Sequence, residues 1–495
     1  MVKKGSVTVF LALMLSLLLS LVCASIESVR MAAARTQILG SLDIGLYSLF
    51  GQYDRELLKE YDLFFLDGSC GGGTLKMSRI YDNMEEYMKP VLKQNSQKLS
   101  ISQGGFTGYR LATDEEGEVF YHQVVTYMKK TLGSQGVQLL LNKMRDREEQ
   151  TREAEQRGQQ AEQGNSIESY ENEMQSAAQK SQDAKEEAEK NASGEGEHLE
   201  SQPPGEHTEG TTEKVANPIS VIKRIRKMGI LELVLSPGKG ASEKTVERGE
   251  LASQRTLQRG MPLFGRLEKD NSYASGILYQ QYLMDKLGNY QKPSLAGLSY
   301  QVEYILGGKN SDLENLKSVA RKLLLIREGV NFAHLLSDPV KRAEAEALAL
   351  AIASGFLIPP AAAIIEGALL LCWAFGESIL DVRELFDGGK VALVKSQGDW
   401  QLSLENLPRL LEGLDTVRRG NEKGLSYEDY LQVLLLTKGK EEKLKRGMDM
   451  VELCIRAKGR PDFLLDSCIV AIEASVDVKA NKRKTFTVTK QYCYG

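Results

Sequence analysis

The sequence predicts a helix-rich α+β protein carried on an N-terminal transmembrane helix. Three features support that expectation: an uncharged apolar run at the start, a charged low-complexity stretch in the middle, and long helical periodicities interrupted by a few alternating segments. The regular β-α alternation of a parallel sheet is missing. Apolar residues make up 42 % of the chain and charged residues 26 %, an ordinary globular composition.

Residues 7–26, VTVFLALMLSLLLSLVCASI, carry no charge and follow Lys3 and Lys4. A helix of that length rises about 30 Å, the thickness of a bilayer's hydrocarbon core. Beyond it, Ile26, Val29, Ala33, Gln37, Gly40, Ile44, Tyr47, Phe50, Leu57 and Tyr61 fall mostly three or four apart, and the first proline is Pro90. One helix over 7–60 is therefore expected. A cleavable signal peptide ending at Val22-Cys23-Ala24 is the rival reading. Cleavage needs an extended segment, so continuing helix favours an uncleaved anchor. A lipoprotein signal at Cys23 is disfavoured by Leu21 and Val22 before it. Lys3 and Lys4 precede the span, whereas Arg30 and Arg35 after it are accompanied by Glu27 and Asp43. This bias predicts a cytoplasmic N-terminus, a single pass through the cell membrane and an extracytoplasmic bulk. Glu27 and Arg30, one turn apart, read as a pair at the membrane–water boundary.

The expected organisation is a cytoplasmic N-terminus at 1–6, the span at 7–26, a folded part at 27–140, a linker at 141–216 and a second folded part at 217–495. Between Arg145 and Lys214 lie 19 acidic residues and 8 basic ones, few of their neighbours aromatic or β-branched. Such a stretch buries too little apolar surface to offset ordering entropy, and disorder is expected after Gly194. Residues 136–163 retain helical character, but apolar heptad positions vanish after Met144, which disfavours a long coiled coil.

In the first folded part, a strand is expected at 62–67, a turn at 68–73, a helix at 75–93, strands at 98–103 and 108–113, and a helix over 118–132. The second opens with Pro218 and a basic amphipathic helix that sets Val221, Ile222 and Ile225 against Lys223, Arg224, Arg226 and Lys227. Strands are expected at 230–235, 299–306, 391–395 and 484–494. Helices are expected over 272–290, 311–336, 340–356, 361–386 and 426–475. Residues 348–375 contain Glu366 as their single charge, but Pro359-Pro360 split them into two short arms. That break predicts a buried helical hairpin rather than a second membrane crossing.

No catalytic, metal or cofactor site is legible. The six cysteines, at 23, 70, 372, 454, 468 and 493, show no metal-ligand spacing, although Cys454 and Cys468 are candidates for pairing across two helices. Of four histidines, His198 and His207 lie in the linker, while His122 and His334 lie in expected helices without a ligand neighbour. P-loop, Rossmann, zincin and nucleophile-elbow patterns are missing, and Gly71-Gly72-Gly73 reads as a turn. The candidate binding surface is the cluster Lys223, Arg224, Arg226 and Lys227, suited to anionic headgroups or cell-wall polymers. An extracytoplasmic position excludes nucleic acid as a partner.

Gly5-Ser6-Val7-Thr8-Val9-Phe10, the apolar span, Ile26-Glu27-x-x-Arg30, Ala34-Arg35-x-Gln37 and Asp43 resemble the N-terminus of TadE/TadG-like proteins of tight-adherence (Flp) pilus systems. The glutamate that true prepilins carry five residues into the mature chain is replaced here by Phe10, counting from Ser6. Four further stretches resemble an uncharacterised family of clostridial Gram-positive bacteria: Tyr53–Leu58, Tyr61–Asp67, Gly424–Leu431, and Arg446 with Met448–Glu452. The resemblance implies a non-enzymatic envelope component, a pseudopilin-like or assembly subunit of a pilus or secretion apparatus. Its N-terminal helix would pack against other subunits through Ala32–Ala34, Gly40 and Gly45. An anchored or secreted wall enzyme, or a ligand-binding protein, is the alternative.

Overall fold

The structure, a computed structural model, describes residues 4–93, 99–162, 218–247, 249, 251–263, 267–355, 361–414, 424–480 and 484–494, with Asn172, Gln175, Ser176, Gln179 and Asp183. In chain order it forms α1 (Lys4–Phe50), α2 (Arg55–Tyr61), β1 (Leu66–Asp67), α3 (Met77–Lys93), β2 (Ser100–Leu111), α4 (Glu118–Glu162), α5 (Pro218–Arg226), α6 (Ile230–Val234) and α7 (Tyr273–Lys286). Then follow α8 (Gln301–Gly307), α9 (Asp312–Ser337), α10 (Pro339–Gly355), α11 (Ala362–Asp387), β3 (Lys390–Val391), β4 (Leu425–Ser426), α12 (Tyr427–Leu436), α13 (Lys440–Ala457), β5 (Cys468–Ala480) and β6 (Lys484–Cys493). The fold is helix-rich α+β, opening on a long apolar helix.

Two units divide the chain, and neither is continuous. The first is built from residues 1–137, 247–286 and 440–495, the second from 138–246 and 287–439. The boundary expected at 140 lies close to the first break, after residue 137, whereas 217 falls inside the second unit and the returns of the chain at 247 and 440 have no counterpart in the sequence reading. Near the end of the chain β5 pairs with both β2 and β6, and only long-range hydrogen bonding reveals the pairing with β2.

In the first unit, β5 pairs antiparallel with β2 along one edge, while β1 and β6 share the other. Ile472, Ala474, Val476 and Val478 alternate along β5 and enter one core. There they meet Ala34, Ile38, Leu42 and Leu46 of α1 and Ile80, Met84 and Met88 of α3. The α1 stripe repeats every four residues, so it forms a single helix face. Gly45 permits the close approach of α3: a Cβ there would sit 2.7 Å from the Met88 side chain and 3.2 Å from the Met84 carbonyl.

α1 ends at Phe50 rather than near residue 60. The chain turns after Gly51, and the Asp54 carboxylate accepts hydrogen bonds from the Glu56 and Leu57 N–H groups at 3.0 Å. That cap starts a separate helix, α2. The two strands expected at 98–103 and 108–113 are one bulged strand, β2, running through Gly104 and Gly105. α4 continues past 132 through a kink at Gly133, and its Met144, Arg147 and Thr151 are buried. The first part of the expected linker is therefore packed helix, while residues 184–217 lie outside the described residues.

In the second unit, α11 is the central helix, packed among α5, α6, α9 and α10. Nearly every residue from Ala368 to Arg383 is buried, including Trp373 and Glu377. α10 and α11 are the two arms of the expected hairpin; Pro359-Pro360 lie outside the described residues. Two expected strands are helices and a third is shortened. Residues 230–234 form α6, and Gln301–Gly307 form α8, closed by Gly308 in the left-handed region at φ 64°. Gln301 through Leu306 are all buried, so their alternation records no solvent-facing side. The strand expected at 391–395 shrinks to β3, because Lys395 turns inward to Glu377 and Asp381. Helix expected over 426–475 stops at Ala457. Gly459 (φ 101°) and Pro461 break it, and the β-branched run from Cys468 becomes β5.

Candidate functional site

α5 starts on Pro218 and buries Ile219, Ile222 and Ile225, one turn apart, against the second unit. The intervening positions bring basic side chains outward, and Arg226 emerges at the mouth of a groove of about 470 Å³. α9 forms the opposite wall. Lys317 and Arg321 lie one turn apart on it, followed by Leu324, Leu325 and Glu328. Phe375 of α11 closes the floor.

Arg226 is fixed by two contacts. Its guanidinium lies 4.4 Å from the Phe375 ring centroid, and one amino group pairs with Glu328. Lys317 and Arg321 have no hydrogen-bond or ion-pair partner among the described residues. Leu325, beside them, is 65 % exposed. A cation without a partner and a leucine without cover border the same opening.

Of the four predicted surface residues, only Arg226 lines this groove. Lys223 is half-buried, while Arg224 and Lys227 are exposed beside it. Lys317 and Arg321 were missed by sequence reading; their signal was a pair of basic residues four apart on an otherwise amphipathic helix. Glu27 and Arg30 are exposed on α1.

A larger cavity in the first unit, about 520 Å³, is lined by Asp114, Glu116 and Arg255. Their charges are already engaged. Glu116 pairs with Lys269 at 2.7 Å, and Arg255 forks onto Glu452 with both bonds at 2.8 Å and reaches Asp466 at 2.7 Å. Asp114 accepts from the Gly260 N–H at 2.9 Å. Asp449 likewise accepts from the Ser253 N–H and hydroxyl, at 2.8 and 2.6 Å. Asp449 and Glu452 of the Met448–Glu452 motif thus pin Ser253 and Arg255, while Asp466 and Asp114 hold Gln258 and Gly260.

The second unit holds a buried charge network. Arg327 donates to Asp381 at 2.9 Å, to the Ala392 and Leu393 carbonyls at 2.8 and 2.7 Å, and to Asn331 at 3.0 Å. Lys395 bridges Glu377 and Asp381, and Glu377 also accepts from the Gln401 and Leu402 N–H groups at 3.0 and 2.8 Å. Burial pushes the Glu377 carboxyl up against the pull of Lys395. For Asp381, burial is outweighed by Lys395 and Arg327, which hold its carboxyl below the usual range. Two cations balance two anions, all four side chains almost fully buried, so the network joins α9, α11 and the 390–402 segment. Tyr430 of the Gly424–Leu431 motif hydrogen-bonds Arg327 within it, at 3.1 Å. Tyr427 of the same motif donates to Glu303 at 2.7 Å. Burial drives Glu303 up to about 7, the largest influence, partly offset by that hydroxyl.

Other singled-out residues serve the fold. Glu366 pairs with Arg342 at 3.4 Å; His334 stacks on Trp400 with centroids 5.4 Å apart; the His122 Nε2 lies 2.9 Å from the Glu268 carbonyl. None of the six cysteines, Cys454 and Cys468 included, forms a disulfide. No group of three or more His, Cys, Asp or Glu among the described residues is arranged to hold a metal.

Fold and groove together define a helix-rich α+β protein with an N-terminal helix long and apolar enough to cross a membrane, and with a cationic, partly apolar cleft. The chain belongs to a family of unknown function (DUF5702), matched over residues 208–480. No curated protein and no solved structure matches it.

Proposed function

We propose that the protein is a non-enzymatic, membrane-anchored envelope component, a pseudopilin-like or assembly subunit of a tight-adherence-type pilus or secretion apparatus. The supporting observation is a second apolar stripe on α1. Val29, Ile44 and Tyr47 are 69, 45 and 69 % exposed, and they lie opposite the buried stripe of Ala34, Ile38, Leu42 and Leu46. This exposed stripe contains the residues whose spacing first marked the helix, and it runs on from the uncovered segment 7–26. Exposed Ala32 and Ala33 add small side chains beside it, where another helix can approach closely. Gly45, by contrast, is already occupied by α3 of the same chain.

In this reading residues 7–26 span the cell membrane with the N-terminus in the cytoplasm, and lateral packing along α1 joins neighbouring subunits. The resemblance of residues 5–50 to TadE/TadG-like N-termini supports the pilus assignment. Single cysteines in intact cells test it, with Cys23, Cys70 and Cys493 replaced by serine. Val29→Cys and Ile44→Cys should cross-link chains, whereas Leu42→Cys should not. Equal cross-linking at all three sites, or at none, would remove lateral packing. Deletion of the gene should abolish pili or secretion; intact assembly with altered wall chemistry would favour a wall enzyme.

A further inference from the structure

We propose that the groove between α5 and α9 binds a phosphate-bearing amphiphile. Its lining carries three cations, Arg226, Lys317 and Arg321, against one carboxylate, Glu328. Glu328 and Phe375 consume only one edge and one face of the Arg226 guanidinium, which leaves further N–H donors of its fork available. Two guanidinium groups and an ammonium match the several oxygens and the double charge of a phosphate monoester better than a single carboxylate. The rest of the lining is apolar: Ile230, Leu233, Leu324 and the exposed Leu325. Inorganic phosphate would leave that surface in water, and a neutral alkyl chain would leave the cations unpaired. A volume of about 470 Å³ falls within the range of small-ligand sites and holds a headgroup with a short length of chain. The assignment stands on the second unit alone and does not depend on the role of α1.

The test uses the full chain in phosphatidylcholine nanodiscs, titrated with octyl phosphate. Comparison with K317E/R321E removes partition into the disc, and both substitutions fall at solvent-accessible positions. The wild type should bind saturably, and the variant at least about tenfold more weakly, the loss expected for charge-assisted hydrogen bonds. Leu325→Asn, which removes the apolar contact without adding charge, should weaken octyl phosphate but leave any binding of inorganic phosphate unchanged. Equal affinity in wild type and K317E/R321E would overturn the site. Inorganic phosphate binding as tightly as octyl phosphate would overturn the amphiphile. Competition by phosphatidic acid added to the disc would assign a bilayer lipid as the source. Saturable binding without that competition would assign a soluble phosphorylated ligand.

Discussion

Two helices of this protein pass the same test of length and apolarity for crossing a membrane, and the fold treats them in opposite ways. The apolar window of α1 has none of its residues buried, whereas most of the window in α11 is buried. The difference lies in what surrounds them. α11 carries Glu377, Asp381 and Arg383 among its apolar residues, and Lys395 and Arg327 neutralise the first two. Residues 7–26 have no charge to satisfy and no protein surface around them. An apolar helix with partnered charges belongs to a core; one without either needs a different solvent.

The largest way to break this comparison is to remove residues 1–26. The truncated chain is expected to leave the membrane fraction completely yet melt at an unchanged temperature, since residues 7–26 are exposed throughout among the described residues. A companion measurement is the N-terminal sequence of the mature protein. A start at residue 1 or 2 in the membrane fits the anchor, whereas a start at Ser25 in the medium would replace it with a signal peptide.

Next in size is the charge network. Asp381→Ala strands Arg327 and Lys395 in the core and should cost about 4 kcal/mol in denaturant unfolding, as expected for half of a buried ion pair. A loss below about 1 kcal/mol would mean water reaches those cations. Smaller again is a cavity in α11: Ile379→Ala should cost about 3 kcal/mol, while Leu13→Ala on α1 should change folding stability by less than about 0.5 kcal/mol. Equal effects of the two would erase the distinction between the helices.

The last contrast, spread over pH rather than tied to one packing defect, is a pH dependence within the second unit. Glu303 has its folded value raised to about 7 from 4.5, so the native state holds a proton that the unfolded chain releases between those values. Its contribution is complete below about pH 4.5 and is lost as pH rises towards and through 7, with a slope of at most about 1.4 kcal/mol per pH unit. Glu303→Gln, which keeps an acceptor for Tyr427 without the charge, should flatten this part of the stability profile. An unchanged profile would show that Glu303 ionises freely in the folded state.

Much of the helical framework was legible because three- and four-residue spacing survives burial on one side. The limits of α3, α7, α9 and α11 lie close to those expected, and β6 falls where alternation placed it. Alternation failed at α8 because every residue from Gln301 to Leu306 is buried, leaving the period of two without a solvent side to report. The periodicity on α1 marked a helix without saying which face is covered: Val29, Ile44 and Tyr47 point outward while Ala34, Ile38 and Leu42 fill the core. Spacing identifies a stripe; only packing shows which of two apolar stripes is covered. The groove was half legible, since Arg226 belongs to a visible basic cluster while Lys317 and Arg321 reach it from nearly a hundred residues away.

By itself the sequence determined that a charge-free helix of membrane length opens the chain, that helices dominate, and that a basic helix begins at Pro218. Those properties depend on side-chain hydrophobicity, charge and spacing within one segment. The tertiary structure decided that β5 and β6 complete a sheet with β2, that α11 is core, and that three separated cations line one opening. Each of these is a contact between residues far apart in the chain. Local periodicity carries no information about such pairings, which depend on which surfaces find one another when the chain folds.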